Sequence, residues 1–240
     1  MPHPAPGWID RLPQNRLIAE YSMWSADLIR LADDLDRIAP HADILHVDVA
    51  DGVFAPSFLF FPDLVARMRA VTVIPIHVHL MVADGVLLSQ VAQFAEAGAD
   101  LISLHVENAA VAAEALDLIE GLGLKAGMVL RVETPVATVQ PWLGRLDFLT
   151  LLGTAIGVKG AGAGPVGDGA ADGGGRPDCG HGAAHCACGG WGHPGHDRAA
   201  AALRPGRDGG AGVVGLWCGG PRRTDALAAR AVGFSGGADG

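Results

Sequence analysis

The stretch "DILHVDVADG" (43–52), followed by "FPDLVARMRAV" (61–71), decides the fold. The first is a run of aliphatic residues that stops at a glycine, as a short strand does. The second spaces its apolar residues as one face of a helix. In the strand, His46 and Asp48 sit two apart, so alternation puts both side chains on one face. An apolar strand with polar groups on one face suits a barrel wall whose interior side carries a site.

The alternation continues in both directions. Upstream, "RLIAEYS" (16–22) is a short apolar run. "SADLIRLADDLDRIAP" (25–40) carries Leu28, Leu31, Leu35 and Ile38 at helical spacing, with Ser25 placed to cap. Downstream, "IPIHVHLMV" (74–82), "DLISLHVE" (100–107), "KAGMVLRV" (125–132) and "DFLTLLG" (147–153) read as strands. Between them lie three helices. "GVLLSQVAQFAEAGA" (85–99) is closed by Gly98, "AAVAAEALDLIEGLG" (109–123) by Gly121 or Gly123, and "PVATVQPWLG" (135–144) is short. Strand–helix units at short, even spacing call for a parallel sheet with helices outside, either doubly wound or closed into a barrel. No G-x-G-x-x-G follows the first strand, which weighs against a dinucleotide fold. Polar residues recur at the C-terminal strand ends, where barrel active sites sit.

Two further strands repeat the spacing. His77 and His79 share a face, and so do His105 and Glu107. His46, Asp48 and His79 are therefore expected to converge at the barrel mouth. Two imidazoles and a carboxylate suit a divalent cation of the zinc, iron or manganese kind. The competing reading is a set of polar core residues bonded to one another. For one histidine on a strand that reading is the commoner; three strands with the same spacing bring the two level.

Half of the 240 residues are hydrophobic, enough for a sizeable core. The net charge of −9 argues against a nucleic-acid partner, because phosphate binding wants a basic face. No apolar run reaches the ~20 residues of a membrane span. The beginning, "MPHPAPGWIDRLPQNR", lacks the basic-then-apolar order of a signal peptide. A cytoplasmic protein without membrane partners is expected, and a homo-oligomer is compatible with everything read so far.

"SMWSADLIRLADDL", "LHVDVADGVFAPSFLFFPDLV", "HVHLMV" and "FAEAGADLISLHVE" together resemble the successive motifs of the ribulose-phosphate 3-epimerase family, in order and at similar spacing. The resemblance runs from about Leu17 to Gly160. It implies a (β/α)8 TIM barrel of the ribulose-phosphate-binding type that inverts C3 of a ketose phosphate, ribulose 5-phosphate to xylulose 5-phosphate. It implies that His46, Asp48 and His79 hold a divalent metal (Zn, Fe, Mn or Co) and that Asp48 is one of two acid/base carboxylates. It further implies substrate contacts from Ser22, His79 and Met81. "GTAIGVKG" stands where the family has its glycine loop, so Gly157 and Gly160 would offer backbone N–H groups to phosphate. Ala50 and Leu152 stand where methionines are common, and Lys159 is unusual inside the loop. These departures keep another ketose phosphate, such as allulose 6-phosphate, open as substrate.

The vocabulary of the chain changes after Gly160. Ten of the 35 glycines lie in residues 1–159 and 25 in 160–240. No isoleucine follows Ile156, and Cys179, Cys186, Cys188 and Cys218 all lie in this last part. The family's second carboxylate sits in an Asp-Gly-Gly motif on strand seven; here Asp172 precedes "GGG", but it comes too soon after strand six and no apolar strand leads into it. Read one nucleotide later, however, "GGWGHPGHDR" (189–198) can spell A-D-G-G-I-R-D-T-T-V. After Gly160 the same shift permits Q-G-L-D-P-S-A-T-A-R-L. Two matches in one frame, in order, point to a chain that leaves its ancestral frame near Gly160. The expected organisation is an N-terminal extension (1–16), a barrel part with strands one to six (17–160), and a Gly/Ala/Pro-rich aberrant or disordered tail (161–240) in place of strands seven and eight. A zinc module built from Cys179, His181, His185, Cys186, Cys188, His193 and His196 matches no paired C-x-x-C spacing. The expected function is an impaired epimerase; a non-catalytic metal- or phosphosugar-binding protein is the alternative. Sequencing the gene across the Lys159 and Gly160 codons should reveal a one-nucleotide offset, and an unaltered frame there would remove the frameshift.

Overall fold

A computed structural model describes residues 1–13, 15–153 and 155–157, and the backbone of Gly215–Trp217. Six strands lie side by side in chain order: β1 (Glu20–Ser22), β2 (Ile44–Ala50), β3 (Ile76–Met81), β4 (Leu101–His105), β5 (Lys125–Leu130) and β6 (Phe148–Leu151). Every neighbouring pair among them is parallel. Parallel neighbours need a crossover. Four of the crossovers carry α1 (Leu31–Ile38), α2 (Pro62–Val71), α3 (Asp84–Glu96) and α4 (Ala112–Gly121), and the fifth carries a 3-10 helix, Val136–Arg145, with Pro141 inside it. The result is a half-barrel, an incomplete (β/α)8 fold.

Alternation along the strands separates two environments. Leu45, Val47 and Val49 of β2 and Val78 and Leu80 of β3 join Val65, Met68, Leu87, Val91 and Phe94 in the core under the helices. Burial of one such side chain contributes about 1.5–3 kcal/mol. The other face forms layers. At its N-terminal end Ile44, Leu101 and Phe148 pack with Ile9 and Leu12, so the segment before β1 closes that end. Above them come His46 and His77, then Asp48 and His79, then Ala50 and Met81 with Ala55.

Three local expectations are corrected. The strand in "RLIAEYS" is confined to Glu20–Ser22. Ser25 does not cap α1; it ends a 3-10 turn, Met23–Ser25, and α1 begins at Leu31 after Arg30. The cause is Asp34, whose Oδ2 accepts the Asp27 N–H at 2.7 Å and holds the chain in a turn before the helix starts. Leu28, expected on the helix's apolar face, is consequently exposed.

The edge of β6 is not bare. β7 (Gly215–Trp217) pairs with it antiparallel, from Phe148↔Trp217 to Thr150↔Gly215. The expectation of an aberrant or disordered tail without strands is corrected at Gly215–Trp217. A strand does pair, without an acidic residue, and its direction is opposite to that of a barrel strand. An exposed row of backbone donors and acceptors takes any segment that can pair with it. Lys159, Gly160 and all four cysteines lie outside the described residues.

Two corners on the N-terminal side of the sheet are locked by one ion pair. Arg69 of α2 is fully buried, and its Nη1 donates to Asp100 Oδ2 at 2.7 Å. Its Nη2 donates to the carbonyls of Thr72 and Ile74, and Asp100 Oδ2 also accepts the Ile76 N–H. Gly98, at φ +99°, lets the Arg69 stem pass where a Cβ would lie 2.5 Å from Cγ. Asp100→Ala leaves a buried guanidinium without its counter-ion, so urea unfolding should show a loss of about 3–5 kcal/mol.

Candidate active site

Pairing register assembles the site. Ser22 stands beside His46, and Asp48 beside His79, which in turn is beside Ser103. Asp48 Oδ1 therefore faces two imidazoles, His46 Nε2 at 3.1 Å and His79 Nδ1 at 3.2 Å. Ser22 Oγ donates to the other oxygen, Oδ2, at 2.9 Å. One potential ligand atom from each of His46, Asp48 and His79 lies within 4.8 Å of the others, and all three residues are buried. Nitrogen and oxygen ligands about 2.0–2.2 Å from one ion stand roughly 2.8–3.6 Å apart, from octahedral to tetrahedral geometry. The spacing and the mixed N/O donor set both fit a divalent cation.

The remaining expected residues are placed as follows. Met81 is buried at the mouth with Ala50 and Ala55, and Ile156 packs against them. Gly157 has φ +66°, and its carbonyl accepts the Ser57 hydroxyl at 2.6 Å. A Cβ at Gly157 would lie 2.9 Å from Ala55, so the loop after β6 closes on the loop after β2 only with glycine there. Gly160 lies outside the described residues.

Several groups at the site were not assigned from sequence. Glu20 of β1 is buried, and its Oε1 receives His46 Nδ1 at 2.8 Å and His77 Nδ1 at 2.5 Å. Its signal was present in "AEYS", where Glu20 and Ser22 alternate as His46 and Asp48 do. A second line of contacts runs outward from His79. Its Nε2 meets His105 Nε2 at 2.8 Å, and His105 Nδ1 meets Glu107 Oε2 at 3.0 Å. Glu107 Oε1 accepts from the Thr134 hydroxyl and the Arg131 N–H. The Arg131 guanidinium lies 4.3 Å over the Phe54 ring, which packs on His105.

Charges follow from these contacts. Burial alone would lower the His46 imidazolium, but Asp48 and Glu20 on either side outweigh it and raise it to about 10. Burial alone would raise Glu20, yet His77 and His46 pull it down to about 2. Asp48 is likewise held well below the usual carboxylate range by His46 and His79 against its burial. Burial lowers His77 and His79, with Glu20 and Asp48 respectively opposing. It lowers His105 to about 4, with Glu107 opposing. Without metal, a proton on His46 thus stands between two carboxylates.

The family model described as "Ribulose-phosphate 3 epimerase family" matches residues 18–162. The chain belongs to the ribulose-phosphate 3-epimerase family. It is 36% identical over 132 residues to ribulose-phosphate 3-epimerase of Bacillus subtilis, covering 55% of this chain and 60% of the relative. It is 32% identical over 155 residues to the chloroplastic ribulose-5-phosphate-3-epimerase of Arabidopsis thaliana, covering 63% and 54%. A third epimerase, from Synechocystis, is 35% identical over 147 residues, covering 60% and 63%. The matched part of the chain thus spans somewhat more than half the length of these relatives.

The metal-free chain should be most stable near neutral pH. A His46 raised from 6.5 to about 10 contributes stability that is full below 6.5 and lost as pH rises toward 10. A His105 lowered from 6.5 to about 4 stays neutral in the fold, so stability falls as pH drops from 6.5 toward 4. The Glu20 contribution is lost below that, between 4.5 and about 2. Urea midpoints measured in chelator should peak around pH 6.5, and His46→Gln should flatten the alkaline limb.

Proposed function

We propose that this chain is built for metal-assisted proton transfer at C3 of a ketose phosphate, of the ribulose 5-phosphate to xylulose 5-phosphate kind. The observation that carries the reading is Asp48. It shares one buried cluster with His46 and His79 while Ser22 holds its second oxygen. A proton alpha to a carbonyl is weakly acidic, and its removal needs a base at fixed geometry. Three contacts fix the Asp48 carboxylate, which takes and returns the C3 proton on one face of the substrate. A divalent cation held by His46, Asp48 and His79 would stabilise negative charge on the substrate's carbonyl and hydroxyl oxygens. The donor set suits zinc, iron, manganese or cobalt. Met81 and Ser22 would line the sugar, and Gly157 with Gly160 would meet its phosphate.

Inversion also needs an acid on the opposite face, and the one Asp-Gly-Gly in this sequence, at Asp172, follows strand six too soon and has no apolar strand leading into it. The family match ends at residue 162, which supports a barrel part of 17–160 followed by an out-of-frame tail. The activity proposed for this polypeptide is therefore partial: exchange of the C3 proton without full inversion. The missing carboxylate also favours the second reading, a metal- or phosphosugar-binding protein without turnover. Allulose 6-phosphate remains the alternative substrate, and a cytoplasmic location and a homo-oligomer belong to the same proposal.

The test is deuterium wash-in at C3 of ribulose 5-phosphate, with xylulose 5-phosphate formation followed in parallel. The chain should exchange the C3 proton faster than it inverts. Asp48→Asn should lower exchange by about 10²–10⁴-fold. A chain restored to the shifted frame after Gly160 should regain inversion. Exchange that survives in Asp48→Asn would overturn the assignment, and full-rate inversion by the chain as written would overturn the impairment.

A further inference from the structure

Two clusters of potential ligands share His46: His46–Asp48–His79, and Glu20–His46–His77. Their spacings differ. In the first, the contacts to Asp48 Oδ1 are 3.1 and 3.2 Å, the separation of two ligands on one ion. In the second, the contacts to Glu20 Oε1 are 2.8 and 2.5 Å, the separation of a donor and an acceptor sharing a proton. The second cluster is thus drawn tighter than the first, as short hydrogen bonds to one carboxylate oxygen are.

From this we infer that Glu20 is a positioning residue for the metal ligand His46. The inference rests on the metal reading proposed above. A carboxylate only accepts, so Glu20 Oε1 takes the Nδ1–H of His46 and leaves Nε2 with its lone pair toward Asp48 and the cation position. A metal-bound histidine commonly gives its other N–H to a carboxylate, which fixes the ring and raises the basicity of the ligating nitrogen.

The support for Glu20 reaches across four strands. His77 Nδ1 also donates to Oε1, because a carboxylate only accepts; the neutral ring then has its Nε2 lone pair free for the Ser103 hydroxyl at 2.7 Å. Ser103 in turn has room only because residue 127 is glycine: a Cβ there would stand 1.9 Å from Ser103 Oγ. His46 and His77 pack edge to face, with centroids 4.8 Å apart, so neither ring turns freely. Glu20, His46, His77 and Ser103 are all buried, which leaves the carboxylate no exposed alternative partner. Glu20 Oε2 has no hydrogen-bond partner among the described residues, so the hold on His46 rests on Oε1 alone.

The test is divalent-metal affinity of the full chain, measured by calorimetry with Zn²⁺ and by the visible spectrum with Co²⁺. Glu20→Gln keeps the shape and an acceptor oxygen but removes the charge. It should weaken Zn²⁺ binding about 10–100-fold and shift the Co²⁺ bands. Glu20→Asp should recover part of the loss. In a His46→Ala background, Glu20→Gln should cost nothing further, because its effect passes through that ring. A variant that merely unfolds would lose affinity in both backgrounds and shed its circular dichroism, and that result would overturn the inference. Unchanged affinity in Glu20→Gln, or two ions bound per wild-type chain, would overturn it as well. A wild-type chain that binds no divalent ion would instead sink the metal reading itself and this inference with it.

Discussion

The register between β2 and β3 is the constraint on which the site depends. It sets Asp48 beside His79 and His46 beside His77. A slip of β3 by one residue against β2 would turn His77 and His79 toward the helices and bring Val78 and Leu80 into the polar interior. The register is held from both faces. Helix-facing aliphatics bind it to α2 and α3, and the imidazole–carboxylate contacts bind it from inside. Core packing and chemistry therefore select the same alignment.

Polar groups in so buried a place carry a desolvation cost, and the structure offsets it by pairing. His46 bonds carboxylates on both sides, and His79 bonds Asp48 on one side and His105 on the other. His105 continues the line to Glu107. The same logic operates near the opposite end of the strands, where buried Arg69 meets Asp100 and two backbone carbonyls. That ion pair ties the turn after α2 to the start of β4. It thereby supports β3 and the histidines that β3 carries.

The incomplete sheet shapes the functional reading. β1 to β6 bring Asp48, its cluster with His46 and His79, and part of the mouth into one wall. Inversion at carbon needs groups on both sides of the substrate, and a half-barrel supplies one wall. The antiparallel β7 satisfies backbone groups along β6 but brings no acid with it. Membership of the epimerase family and partial chemistry in this polypeptide are therefore compatible.

Much of this was legible in the sequence. Strand–helix alternation, the glycine stops at Gly98 and Gly123, and the two-residue spacing of His46 with Asp48 follow from local periodicity, and the structure shows each of them. Local reasoning misplaced the start of α1, because Asp34 reaches back to Asp27 and outweighs the capping signal of Ser25. It also left Glu20 unassigned, for the same kind of reason. Glu20 lies 26 residues from His46 and 57 from His77, and only strand pairing brings the three together. The amino-acid order by itself determined which residues alternate toward the interior of the sheet. Tertiary structure decided which of them touch, because contact between strands depends on register, and register is set by the packing of the whole sheet against its helices.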